Sequence, residues 1–289
     1  LTGSTLNLEP ASASFGGVVT TGTQTFAGAK TFTSDAVVNT LTVGLGTGSV
    51  ATNTALGYQA LLANGTGANN TAVGYQALLA VTGSTGTNTA VGSLALKTVS
   101  NTTQNTALGY AAGRDLNTQA NTAIGYGAIS GGTPGAANTA VGALTLQSMV
   151  SGTYNVALGY NAMNSSTATS YNIAIGRNTL VNGPTSGNGE NIAIGHSVLG
   201  NVTSGENNIG IGYFTGYGAG GNEITTVDDN AIFIGKNATR DSSIATATPL
   251  SNIVAIGKNA KVSTSNSIVL GGTGADAVNV GMGLVNPAY

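Results

Sequence analysis

Residues 53–78 read NTALGYQALLANGTGANNTAVGYQAL, one nine-residue phrase given twice with a polar filler between the copies. The phrase returns along most of the chain, anchored on a glycine: Gly57, Gly74, Gly92, Gly109, Gly125, Gly142, Gly159, Gly176, Gly195 and Gly212, then Gly235, Gly257 and Gly271. Successive anchors lie 17, 18, 17, 16, 17, 17, 17, 19, 17, 23, 22 and 14 residues apart. A period this constant marks a repeat architecture, whose units bury their apolar faces by stacking on one another.

Each rung opens on an asparagine. Asn53, Asn70, Asn88, Asn105, Asn121, Asn138, Asn155, Asn172, Asn191 and Asn208 precede their glycines by four residues, and Asn230, Asn252 and Asn266 precede theirs by five. The residue before every anchor is Leu, Val or Ile, and the residue before that is Ala in ten of thirteen rungs. Three before the anchor stands Thr in the first six rungs, from Thr54 to Thr139, and then Val or Ile. This alternation is the period-two mark of a strand, with β-branched residues suited to a pleated surface. A second short apolar piece follows, as in Ala60-Leu61 and Ala77-Leu78, and predicts a second strand before a loop of turn-formers. The expected rung is strand, glycine bend, short strand, polar loop, which makes the chain an all-β, repetitive β-solenoid of the β-roll or β-helix kind.

Stacking such rungs about 4.8 Å apart turns each position into a column. The asparagine column is expected to be a structural ladder of amides bonded along the axis. The glycine column supplies a backbone conformation, or a close backbone approach, that other residues cannot. Thr shares strand parity with Leu and Val, so the reading places the Thr column inward. The Ala and Gly face is then left too small and flat to stay wet. The economical remedy is self-association, with three coils about one axis in an intertwined or side-by-side homotrimer.

Composition narrows the function. Only 6% of residues are charged, Gly numbers 45, and there is no Cys, no Trp and one His. Disulfides and thiolate metal sites are thereby excluded. A net charge of −2 gives no pull toward nucleic acid or anionic membrane. No apolar run is long enough for a transmembrane helix, so membrane insertion is not expected. Calcium-binding rolls require acidic loops at the period, and the ten acidic residues do not recur that way. No cofactor and no metal are expected.

The segments NIAIGRNTL, NIAIGHSVL and NIVAIGKNAKV resemble the repeats of trimeric autotransporter adhesin heads, the YadA-like β-rolls. The longer NTAVGYQALLA form is similar to arrays in phage tail fibres. The resemblance covers roughly residues 53 to 272 and implies a homotrimeric fibre outside a cell or on a virion surface. On this reading residues 1–50 form a strand-rich shaft or connector, 51–272 the thirteen-rung solenoid, and 273–289 a C-terminal connector. The final VNVGMGLVNPAY resembles the stretch that precedes an intramolecular chaperone in many tail fibres.

Chemistry-bearing residues are few. Tyr58, Tyr75, Tyr110, Tyr126, Tyr160 and Tyr213 each follow an anchor glycine, so six of the ten tyrosines fall in one column. Tyrosine joins an apolar face to a polar tip, which suits either a glycan-binding strip or a seam between chains. His196 lies in the same column without the second His or Cys that a metal site needs. Glu223, Asp228 and Asp229, in the long interruption between Gly212 and Gly235, form the densest acidic cluster. Adjacent carboxylates cap turns more readily than they build a glycosidase pair, so no catalytic residue is expected. The expected function is an extracellular structural and adhesive fibre, non-catalytic, that attaches to a cell-surface glycan or other receptor and partners with itself. Rival readings are a self-assembling extracellular filament, a tailspike polysaccharide depolymerase and an ice-binding solenoid.

Overall fold

The structure, a computed structural model, describes residues 34–48, 50–83, 86–100, 102–184, 189–217, 228–244, 248–272 and 276–277. The chain divides into two units, 1–34 and 35–289, and of the first only Ser34 is described. The C-terminal stretch 278–289 lies outside the described residues.

Fifteen strands form one sheet in the second unit. An antiparallel hairpin, Ala36–Val38 with Leu41–Gly44, opens it and pairs antiparallel to Thr54–Leu56. From there thirteen strands run parallel, one per rung, through about 12 turns to Ser267–Leu270. The described residues contain no α-helix. The register joins like to like: Thr54 with Thr71, Ala55 with Ala72, Leu56 with Val73, and so upward. The hairpin belongs to the stretch expected as a connector, yet it extends the solenoid sheet.

The strand faces are the reverse of the expected arrangement. The Ala column is the core: Ala72, Ala90, Ala107, Ala123, Ala140 and Ala157 are fully buried. The Thr column and the Leu/Val/Ile column point away from it, Thr54, Thr89 and Thr106 being exposed. The cause is parity. Asn, four before the glycine, and Ala, two before it, share one face of the strand. Because the asparagines are buried, Ala is carried inside with them.

Each coil closes its own core, so the Ala face is not left wet. Across from the Ala column lie Leu61, Leu78, Leu96, Ile129, Leu146, Met163 and Leu180, four residues beyond their anchors and fully buried, with Gly113 at this position in the coil of Ala107. Val81, Val99, Leu116 and Met149, seven beyond it, complete the packing. Volume is exchanged between neighbouring coils. Where Gly210 and Gly216 leave both facing positions small, Phe233 takes the place of Ala in the next coil, and a Cβ on Gly216 would stand 3.3 Å from its ring. Interiors packed to crystal-like density require this compensation.

The predicted second strand is instead a ladder of turns. Gln59, Leu61, Gln76, Leu78, Leu94 and Leu96 all have positive φ, between 47° and 62°. A left-handed residue costs roughly 1–2 kcal/mol when it is not glycine, and most coils of this wall carry two, with Gly113, Gly127 and Gly216 replacing one of them in their coils. Bonds between coils offset that cost: Leu61 N–H donates to the Ala77 carbonyl at 3.1 Å, and Gln76 N–H donates to Tyr58 at 2.9 Å. Alternating handedness keeps the chain turning through a tight corner while its amides still point along the axis. Only near the end does this wall become true strand, where Thr239–Arg240 pairs with Lys261–Val262.

The anchor glycines show why the phrase does not vary. Their φ values from Gly57 to Gly257 lie between 120° and 142°, closed to L side chains. A Cβ on Gly109 would lie 2.7 Å from the Gly125 carbonyl oxygen, and one on Gly125 would lie 2.5 Å from that of Gly142. Backbone meets backbone there, so nothing can give way. Gly125→Ala is therefore expected to lower stability by about 2 kcal/mol or more, measured as a drop in the denaturation midpoint. Replacement of a loop glycine in open space would leave that midpoint in place.

Candidate functional surface

The asparagine ladder lies inside the solenoid and holds it together. The Oδ1 of Asn53 accepts the backbone N–H of Asn70 at 2.8 Å, and that of Asn121 accepts Asn138 N–H at 2.9 Å. The same bond recurs at every step through Asn88, Asn105, Asn155, Asn172 and Asn191 to Asn208. It ends where Asn208 accepts Ala231 N–H at 2.9 Å. Several side-chain Nδ2 groups donate to loop carbonyls of the neighbouring coil, as Asn138 does to Gly152 and Asn155 to Thr169, both at 2.8 Å. Asn230, Asn252 and Asn266, which the sequence reading placed in the same column, stand one position earlier, are exposed and have φ near 55°. The inward positions of those rungs are Ala231, Ile253 and Ser267.

The exposed side of the sheet is apolar. Leu108 is 48% exposed and Leu158 44%, with Leu56, Val156, Ile194, Ile211 and Ile256 also on the surface. The Thr column runs beside them through the first six rungs. Monomeric proteins seldom leave a contiguous apolar strip of this length in water, and such strips mark interaction surfaces.

The tyrosine column flanks that strip, beyond the glycine bend. It is not continuous. Tyr58 stacks on Tyr75 with centroids 5.8 Å apart, and Tyr110 stacks on Tyr126 at 5.4 Å. Ser93 and Ala143 interrupt it. Higher up, the Arg177 guanidinium lies 6.0 Å from the Tyr160 ring centroid, Tyr213 stacks on His196 at 5.1 Å, and Lys236 sits 5.6 Å from Tyr213. These late basic residues cap aromatic faces. A further stacked pair, Tyr154 on Tyr171 at 5.3 Å, lies on the other flank of the strand. Sequence reasoning missed it, although both residues stand immediately before a ladder asparagine.

The acidic cluster is engaged in structural bonds. Asp228 is buried and receives Arg240 Nη1 at 3.1 Å and Leu250 N–H at 2.8 Å. Asp229 accepts Glu206 N–H at 2.9 Å. Glu223 lies outside the described residues. Among the described residues no group of three His, Cys, Asp or Glu is placed to hold a metal ion, and no helix is long and apolar enough to cross a membrane.

Two outcomes follow from these bonds. Asn138→Ala removes the acceptor of Asn155 N–H and the donor to Gly152, so it should cost about 2–4 kcal/mol, seen as lost hydrogen-exchange protection of the Asn155 amide. Burial pushes the Asp228 carboxyl above its ordinary range, against the pull of Leu250 N–H and Arg240. Since the folded pKa is raised, the stability contributed by this group is fully present below the unfolded value and is lost as pH rises through the folded one. Asp228→Asn should flatten that component of the pH dependence, as followed by denaturation midpoints between pH 7 and pH 3.

Comparison with protein families, curated proteins and solved structures finds no match to this chain.

Proposed function

We propose that this chain is a structural and adhesive fibre segment, displayed outside a cell or on a virion, which assembles as a homotrimer and attaches to a cell-surface glycan or other surface receptor without catalysis. The observation that carries the reading is the outer apolar strip. It runs the length of the parallel sheet, the coil does not need it for its own core, and a second and third copy of the same strip would cover it. Covering a contiguous apolar surface is favourable by roughly 25 cal/mol per Å², and a closed ring of three leaves no copy of the strip in water. The resemblance of the repeats to adhesin heads and tail fibres points the same way.

Other observations weigh on the rivals. The antiparallel hairpin at the first coil breaks the parallel register, which disfavours end-to-end growth into an open filament. Asp228 and Asp229 are held by Arg240 and by backbone amides, which disfavours a hydrolytic pair. The outward Thr column supports a second reading, an ice-binding solenoid, because regularly spaced hydroxyls between apolar columns on a flat sheet are what such a surface requires.

The native mass decides first. Light scattering should give about 85 kDa, three times 28.2 kDa, and Leu108→Glu with Leu158→Glu should reduce the particle to one chain with the coil still folded. A wild-type mass of one chain, together with thermal hysteresis lost on Thr106→Lys, would replace the fibre reading with ice binding.

A further inference from the structure

We propose that the two gaps in the tyrosine column, at Ser93 and Ala143, are slots that each take one neutral pyranose ring of a surface polysaccharide. This rests on the attachment reading above and assigns it a place and a ligand class.

Stacking decides where a sugar can bind. Within the pairs Tyr58–Tyr75 and Tyr110–Tyr126 the ring planes lie 10° and 12° from parallel, so each ring covers a face of the other. A filled stretch of the column therefore offers edges, and a sugar needs a face. Faces are free where the column is interrupted. Tyr75 and Tyr110 bound the gap at Ser93, and Tyr126 and Tyr160 bound the gap at Ala143. No ring contact spans either gap among the described residues, and all four rings are half-exposed, Tyr126 most of all at 59%.

The size of the gap selects the ligand. Two coil rises separate the bounding tyrosines, about 9.6 Å. Two van der Waals contacts of about 4 Å use most of that distance. The remainder suits one puckered saturated ring, and a pair of flat rings would not fit. The polar groups beside the gaps suit hydroxyls. Gln76 donates its Nε2 downward to Gln59 Oε1 at 2.7 Å, and the next coil carries Leu94 at that position, so the Gln76 amide oxygen has no partner among the described residues. Asn161 donates its Nδ2 upward to Asn178 Oδ1 at 3.0 Å, and the coil below carries Leu144, so its amide oxygen is likewise unpaired. The Ser93 hydroxyl makes no hydrogen bond among the described residues. Each slot thus has two aromatic walls, a small floor residue, a leucine and one unpaired acceptor, with no charged side chain at either bounding wall or floor position.

Both gap rungs follow one local pattern, Gly92-Ser93-Leu94-Ala95-Leu96 and Gly142-Ala143-Leu144-Thr145-Leu146. They lie three coils apart, about 14 Å along the axis. A polymer lying along the edge can enter both slots, and binding the second becomes intramolecular once the first is filled.

The test fills the slots. Ser93→Tyr with Ala143→Tyr completes the column with the residue that six other rungs carry, so the fold should survive, as checked by an unchanged melting curve and particle mass. Hexasaccharides of β-linked glucose, galactose and N-acetylglucosamine serve as probes, read by saturation-transfer NMR and by tyrosine fluorescence, which is unobscured because the chain has no Trp. Binding by the wild type that weakens at least tenfold in the filled variant, and persists in Tyr58→Ser, is the expected result. Binding that survives filling overturns the slots while leaving surface attachment standing. No binding of any probe by the wild type also overturns the slots, and the fibre reading then rests on the particle mass alone.

Discussion

The asparagine that accepts the backbone N–H of the coil above is the contact on which the rest of the architecture depends. It is buried, it recurs without a break from Asn53 to Asn208, and it lies where the chain leaves the loop and enters the strand. A buried amide hydrogen with no acceptor costs about 1–3 kcal/mol, so each coil from Asn53 to Asn208 is bound to place its asparagine inside. Strand parity then leaves no freedom. Ala follows it inward, Thr and Leu are turned outward, and the apolar strip along the sheet exists because the ladder does. The surface available for association is a consequence of how loops are satisfied on the opposite side of the backbone.

The second constraint is length. Seventeen residues must run one strand, turn twice and return, around a core wide enough for Ala facing Leu. The chain accomplishes this with conformations that ordinary folds avoid. A glycine with φ near 130° bends the backbone out of the strand, and non-glycine residues in the left-handed region carry it round the next corner. Such residues persist only where their surroundings over-determine them. Here the determination comes from above and below, since each strained turn bonds to its copies in the adjacent coils. A single coil of this kind has no reason to form, and its stability is a nearest-neighbour property.

Much of this was legible in the sequence. The period, the strand at each phrase, the parallel stacking and the rung count all follow from the spacing of the glycines and the alternation before them. The direction of the faces was legible as well, but only by joining two readings. Thr and Leu were assigned inward on apolar character, while Asn was assigned to a ladder, and the two cannot share an interior because they have opposite parity. The turn ladder was not legible. Ala-Leu after Gly-Tyr reads as strand to any propensity argument, and nothing local announces positive φ at Gln59 or Leu61; the coil imposes it. The shift of Asn230, Asn252 and Asn266 was visible in their five-residue offset, which moves a residue to the other face of a strand. The stacked pairs of the tyrosine column were readable as columns, and their interruptions only became meaningful once ring geometry showed which faces were covered.

The coils above Asn208 show what replaces the ladder when it stops. Ala231 and Ile253 take over the inward position and bring apolar side chains where amides had been, which leaves the loop carbonyls and amides on that side without their usual partners. The chain answers with one ion pair. Asp228 accepts Leu250 N–H and holds Arg240, whose Nη2 donates to the Thr248 carbonyl at 2.9 Å. Both side chains are almost wholly buried, whereas the other charged residues among those described are at least partly exposed. Removing one member of such a pair leaves an uncompensated charge inside, so this cluster does for the longest rungs what asparagine does for the regular ones. The pair joins the last part of the interruption between Gly212 and Gly235 to the rung above it, through Arg240 and the Leu250 amide, so the chain is tied back to the stack where the long rung ends.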